Sequence, residues 1–292
     1  MTAPEVLHTT ERIERTIDVR GIQTHMFEAG PPTAPPLLYL HGTHIGNLWL
    51  DYHVALSQHF HIFAPDTPGY GLTERPDWMR DMSDYVLYFR DLLDTLGLEK
   101  PFIVGHSLGG WMAVELAIWC PERVGKLVLS NAAGIRVKGS PIVDLFALDP
   151  QETIAVSFED LRAAMPLIPP EVNTEYLLAQ YKQSTTLACL AWNPSFDPKL
   201  ERRLVRVTCP TLIIWGENDR LIKPVYAEAF HKRIANSQLV MLEGTGHMPM
   251  FEKPAEWSTA IITFLAEDSH GAPDTEHRHN NGIDGLSQKE EA

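Results

Sequence analysis

The sequence predicts an α/β protein: a mainly parallel sheet with helices on both faces and a helical lid inserted after its fifth central strand candidate. Three observations carry this. Short apolar runs alternate with helical patterns along most of the chain. One stretch, 134–205, interrupts the alternation with helical segments alone. A serine, an aspartate and a histidine each follow a strand candidate, in that order.

The strand candidates are Ile22–Glu28, Leu37–His41, His61–Pro65, Phe102–Gly105, Lys126–Ser130, Thr211–Trp215 and Gln238–Leu242. The central runs are continuously apolar rather than alternating, as suits strands covered on both faces. Between them, Met82–Leu96 spaces Tyr85, Phe89, Leu92, Leu93 and Leu96 by threes and fours, with Gly97 as the stop. Leu108–Trp119 is a second helix, ended by Pro121. Pro224–Ile234 and Ala255–Leu265 are two more, each opening with or just after a proline. Strand–helix–strand alternation places helices on both faces of a parallel sheet.

The stretch 134–205 has helical segments at Phe158–Met165, Glu171–Trp192 and Lys199–Arg206. It is read as a lid, which leaves 1–133 and 206–267 as the core. Residues 268–292 hold six acidic and two basic residues, no aromatic, and only Ile283 and Leu286 as aliphatic residues beyond alanine. They read as a disordered acidic tail. His270, His277 and His279 lie there, without carboxylates arranged to complete a metal site.

Charge and composition exclude several roles. The net charge of −14, with no local basic cluster, opposes nucleic acid and anionic membranes. No apolar run approaches membrane-spanning length. Met1–Arg15 lacks the features of a secretory signal. Cys120, Cys189 and Cys209 are scattered, without disulfide or zinc spacing. The expectation is a cytoplasmic, reduced protein without a metal site; the oligomeric state stays open, monomer or homodimer.

Gly105-His106-Ser107-Leu108-Gly109 fits G-x-S-x-G between a strand and a helix. That turn strains the serine backbone and lifts its hydroxyl beside the helix N-terminus. A hydroxyl needs a base, and Gly244-Thr245-Gly246-His247 presents one after the last strand. The base needs a carboxylate to fix its tautomer. Asp219 supplies it; Glu217 sits too early in the same loop, and Asn131, at the usual alternative position, cannot be anionic. The order Ser107…Asp219…His247 is that of α/β-hydrolases. The strand into His41-Gly42-Thr43 places the Thr43 N–H, with that of Leu108, as an oxyanion hole. His41 is expected to support that turn and Asp66 to bond its own loop. Trp111 is expected in the core, and Asp144, Asp149 and Asp160 on the solvated surface. Phe146, Phe158, Met165, Tyr176, Tyr181 and Trp192 give the lid a mixed apolar underside.

On these residues the chain resembles an α/β-hydrolase with a single helical lid. The resemblance spans 16–266. It rests on His41-Gly42, Asp66-Thr67-Pro68-Gly69-Tyr70-Gly71, Gly105–Gly109, Pro121-Glu122-Arg123-Val124, Pro210–Asp219 and Gly246-His247…Glu252-Lys253-Pro254. It implies an eight-stranded, mainly parallel sheet and no cofactor. Serine at the elbow disfavours the dehalogenases and epoxide hydrolases of the family, which carry aspartate there. Carbon–carbon hydrolases of ring-cleavage dienoates typically show Asn before the serine and Trp after the histidine; His106 and Met248 stand here. The sequence therefore ranks hydrolysis of small or medium apolar carboxylic esters first. Dienoate hydrolysis, or a ligand receptor retaining the triad, is the alternative.

Overall fold

The computed structural model describes residues 11–169 and 171–267. The tail expected at 268–292, with its three histidines, lies outside the described residues. Eight strands form one sheet: β1 (Arg12–Val19), β2 (Ile22–Ala29), β3 (Pro36–Leu40), β4 (His61–Pro65), β5 (Phe102–His106), β6 (Leu127–Ser130), β7 (Thr211–Gly216) and β8 (Ser237–Leu242). Their order is β1-β2-β4-β3-β5-β6-β7-β8. β1 and β2 pair antiparallel, as do β2 and β4; the remaining pairings are parallel.

Alternate residues of the central strands feed two cores. Leu38, Ile103, Leu127, Leu129 and Ile213 enter one, while Leu37, Tyr39, Val104, Val128, Leu212 and Ile214 enter the other. That two-sided burial is why these strands read as unbroken apolar runs. Each fully buried aliphatic side chain contributes roughly 1.5–3 kcal/mol before entropy is counted.

The first core is covered by α2 (Met82–Thr95), α3 (Leu108–Trp119) and α7 (Val225–Arg233). The second lies under α1 (Asp51–Ser57) and α9 (Pro254–Ala266). α2 starts where Asp81 accepts from the Ser83 and Asp84 N–H groups, and it stops before Gly97, whose φ is 66°. α8 (Pro249–Glu252) is one short turn after the last strand.

Between β6 and β7 the chain is helical, as expected of a lid. It comprises α4 (Pro150–Ser157), α5 (Thr174–Ala191) and α6 (Leu200–Arg203), with 3-10 turns at Leu145–Ala147, Leu161–Leu167 and Leu204–Arg206. One expectation needs correction. The helix expected at 158–165 is a 3-10 turn that begins at Leu161, after Asp160 caps the Arg162 N–H, and that contains Pro166. The strand β1 was not anticipated, nor were α1, α4 and α8. β1 is an antiparallel edge strand whose residues are mostly exposed. Its charged side chains give no apolar signal and protect the edge from pairing.

Candidate active site

The expected nucleophile, acid and base come together at the C-terminal ends of the parallel strands. Ser107 follows β5 with φ 54° and ψ −115°. Such a conformation costs about 1–3 kcal/mol and persists only where the surroundings over-determine it. Here they do. The Ser107 N–H donates to Ser130 O (2.9 Å), and Ser107 O accepts from the Trp111 (3.1 Å) and Ala133 (3.0 Å) N–H groups. Glycine is required beside it. A Cβ on Gly105 would collide with Gly109 O, and one on Gly109 with Leu40 O.

His247 Nε2 lies 2.9 Å from Ser107 Oγ, and its Nδ1 lies 2.8 Å from Asp219 Oδ2. All three residues are buried. The other oxygen, Asp219 Oδ1, accepts from the Leu221 (2.9 Å) and Ile222 (2.8 Å) N–H groups. Those donors occupy Oδ1 and leave Oδ2 facing the imidazole. Glu217, two residues earlier, is exposed. The acid and base loops are zipped together: Glu217 N–H donates to Leu242 O (3.1 Å) and Asn218 N–H to Thr245 O (2.9 Å).

Asn131 is a contact of the acid that sequence reasoning missed. It cannot be anionic, but its Nδ2 donates to Asp219 Oδ2 at 2.8 Å. It stands just after β6 with φ 48°, a region asparagine tolerates. The readable signal was a short amide at the strand end facing the acid loop.

Behind the Thr43 turn, His41 Nε2 accepts from the Thr67 N–H (3.0 Å), so its proton is on Nδ1, which donates to Gly42 O (2.7 Å). Burial lowers its pKa and keeps it neutral. Asp66 accepts from the Asn47 (2.5 Å) and Leu72 (2.8 Å) N–H groups and meets His25 Nδ1 at 2.9 Å. His25 Nε2 in turn meets Glu14 at 3.1 Å. The hydrogen bond to Asp66 is the main cause that raises the His25 pKa. His106 is fully buried, its ring 5.0 Å from that of His247, and burial pushes its pKa well down. It therefore stands as a neutral neighbour.

Ser107, Leu108 and Thr43 open onto one cavity of about 260 Å³. Its lid wall includes Ile142, Val143, Phe146, Leu187, Ala191, Trp192 and Phe196, and the core side adds Trp111, Leu221 and Ile222. Trp111, expected in the core alone, is buried and also lines this cavity. Asp144 is exposed, as expected, but at the cavity wall, and it is the one charged residue among the described lining. Phe158 belongs to a core cluster, while Met165 and Tyr181 face outward. Among the described residues no group of three or more His, Cys, Asp or Glu is placed to hold a metal ion. No helix among them is long and apolar enough to cross a membrane.

With this geometry in place, comparison with known proteins is informative. Residues 37–260 match the model of the alpha/beta hydrolase family. The chain belongs to that family. One relative is a 2-hydroxymuconate semialdehyde hydrolase of Pseudomonas sp. (strain CF600), 29% identical, covering 91% of this chain and 98% of that protein. Further relatives from Metapseudomonas resinovorans and Pseudomonas putida are named as hydrolases of hexa-, hepta- and nonadienoates. Monoacylglycerol lipase ABHD6 of Homo sapiens is 26% identical, covering 83% of this chain and 78% of that protein. Among solved structures, the 2-hydroxy-6-oxo-6-phenylhexa-2,4-dienoate hydrolase from Rhodococcus sp. strain RHA1 superposes with TM-score 0.74. It is 22% identical and covers 89% of this chain and all of that one. The Ser107–His247–Asp219 arrangement is thus a serine-hydrolase triad on an α/β-hydrolase fold.

Proposed function

We propose that this hydrolase cleaves a carbon–carbon bond in a ring-cleavage dienoate. The triad leaves the scissile bond open, since it serves esters and activated ketones alike. The end-to-end similarity to the 2-hydroxymuconate semialdehyde hydrolase carries the choice. It reverses the order taken from His106 and Met248, which ranked esters first. Those two positions still distinguish the chain from the usual dienoate pattern.

His247 takes the Ser107 proton as Oγ adds to the substrate's oxo carbonyl. The N–H groups of Thr43 and Leu108 hold the oxyanion; Leu108 opens α3, where N–H groups lack intrahelical acceptors. The substrate's enol proton moves to the carbon beside the oxo group, which makes that carbon saturated; the bond between the two then breaks, and its electron pair passes into the adjoining conjugated ketone as a dienolate. His247 protonates that fragment. Water, activated by His247, then releases the second acid from Ser107. Asp219 steadies the imidazolium throughout.

A second reading, hydrolysis of a neutral carboxylic ester, is favoured by one observation. The described cavity lining carries no lysine or arginine, and its one charge is Asp144. A dienoate is an anion and gains nothing from such a wall. Assaying a coloured dienoate beside a p-nitrophenyl acyl series decides between them. Loss of dienoate colour with native protein, absent in Ser107→Ala, supports the first reading. Turnover of the esters alone supports the second. The division into a core at 1–133 and 206–267 with a lid at 134–205 belongs to this proposal. So does a cytoplasmic setting, where three thiols outside disulfides are at home.

A further inference from the structure

One carboxylate outside the triad accepts from three backbone donors. Glu252, in α8, accepts through Oε1 from the Glu159 (2.6 Å) and Asp160 (2.8 Å) N–H groups. Through Oε2 it accepts from the Gly246 N–H at 2.7 Å. Glu159 and Asp160 follow α4 in the lid, while Gly246 immediately precedes the base. The neighbouring bonds converge on the same turn. The His247 N–H donates to Ser157 O (2.7 Å). Arg220, next to the acid, donates through Nη2 to Ala155 O (2.9 Å) and Phe158 O (2.5 Å). A Cβ on Gly246 would meet Ser157 O at 2.8 Å and Glu159 N at 2.9 Å, so backbone packs directly on backbone here.

From this convergence we infer that Glu252 is a positioning residue, which fastens the His247 loop to the lid turn at 157–160 and so sets the distance from His247 to Ser107. The lid then has two mechanical parts. The segment after α4 is a fixed abutment for the acid–base pair. The cavity wall at 187–196 lies beyond it and is free of these bonds to the base loop.

The inference rests on the triad but not on the choice of substrate. Its test therefore uses a fluorophosphonate, which needs only an activated Ser107. In Glu252→Gln the amide oxygen can keep both lid donors, but the –NH₂ then faces the Gly246 N–H, donor against donor. The variant cuts the base-loop bond and spares the lid bonds. Misplacing a catalytic group by about 1 Å costs about a hundredfold, so labelling is expected to slow about ten- to a hundredfold. The fraction labelled at completion stays native, and KM for p-nitrophenyl acetate changes less than kcat. Labelling at the native rate overturns the inference. So does a loss explained wholly by a smaller reactive fraction whose survivors react at the native rate. Should the variant fail to fold, amide exchange on the native chain decides. Protection of Gly246 together with Glu159 and Asp160 upholds the inference, and free exchange at Gly246 alone overturns it. Native protein that takes up no fluorophosphonate refutes the triad itself, a separate failure.

Discussion

The two walls of the cavity are held by different physics. On the triad side, each reacting group is tied by short bonds to backbone: Ser107 to Ser130 and Ala133, Asp219 to the Leu221 and Ile222 N–H groups, and His247 to Ser157 in the lid turn. On the lid side, Leu187, Ala191, Trp192 and Phe196 meet the cavity by apolar contact, and Trp192 is 65% exposed. Directional bonds fix atoms to fractions of an ångström; dispersion and burial fix only volume. The triad side is therefore the more tightly fixed wall, and the apolar wall at 187–196 the one a change of side chain is expected to reshape.

The largest expected effect breaks the triad side outright. Ser107→Ala should lower kcat about 10⁴- to 10⁶-fold while substrate still binds, which single-turnover kinetics and equilibrium binding would separate. Asn131→Ala comes next. It leaves Asp219 Oδ2 with the imidazole alone, and a bond to a charged group is worth about 1.5–3 kcal/mol. A fall in kcat of roughly ten- to a hundredfold is expected, with KM little changed. Native kcat in that variant would show Asn131 to be packing only. Trp192→Ala probes the other wall. Its exposed ring should shift KM about two- to tenfold between short and long acyl chains, with kcat kept. A kcat loss as large as that of Asn131→Ala would erase the contrast between the walls.

The smallest effect concerns His25, which is bonded to Asp66. Its pKa is raised in the folded chain, chiefly by the hydrogen bond to Asp66. The contribution is therefore fully present below the unfolded value of about 6.5 and is lost as pH rises through the folded value. The thermal midpoint of the native chain should fall with pH across that window more steeply than that of His25→Gln. Parallel curves would remove the ionic contribution of His25.

How much was legible follows the same divide. The central strands and the triad were readable because two-sided burial imposes continuous apolar runs, and because the serine elbow needs glycines on either side. β1 was not, since Arg12, Glu14, Arg15 and Asp18 spread charge along an exposed edge. Asn131 was read for charge when its role is to donate a hydrogen bond. Glu252 stood within a recognised segment, but its role depends on N–H groups 92 and 93 residues away, which no local pattern reports. Trp111 read as core because a cavity wall and a core impose the same apolar demand.

The strained serine has one more consequence. A residue held at φ 54° against its own preference lowers the stability of the whole fold, whatever it does for the reaction. Glycine adopts that φ without penalty. Ser107→Gly should therefore give an inert chain that melts higher than the native one. Measured as a thermal midpoint, the gap is the standing thermodynamic sacrifice this molecule makes to keep a nucleophile ready.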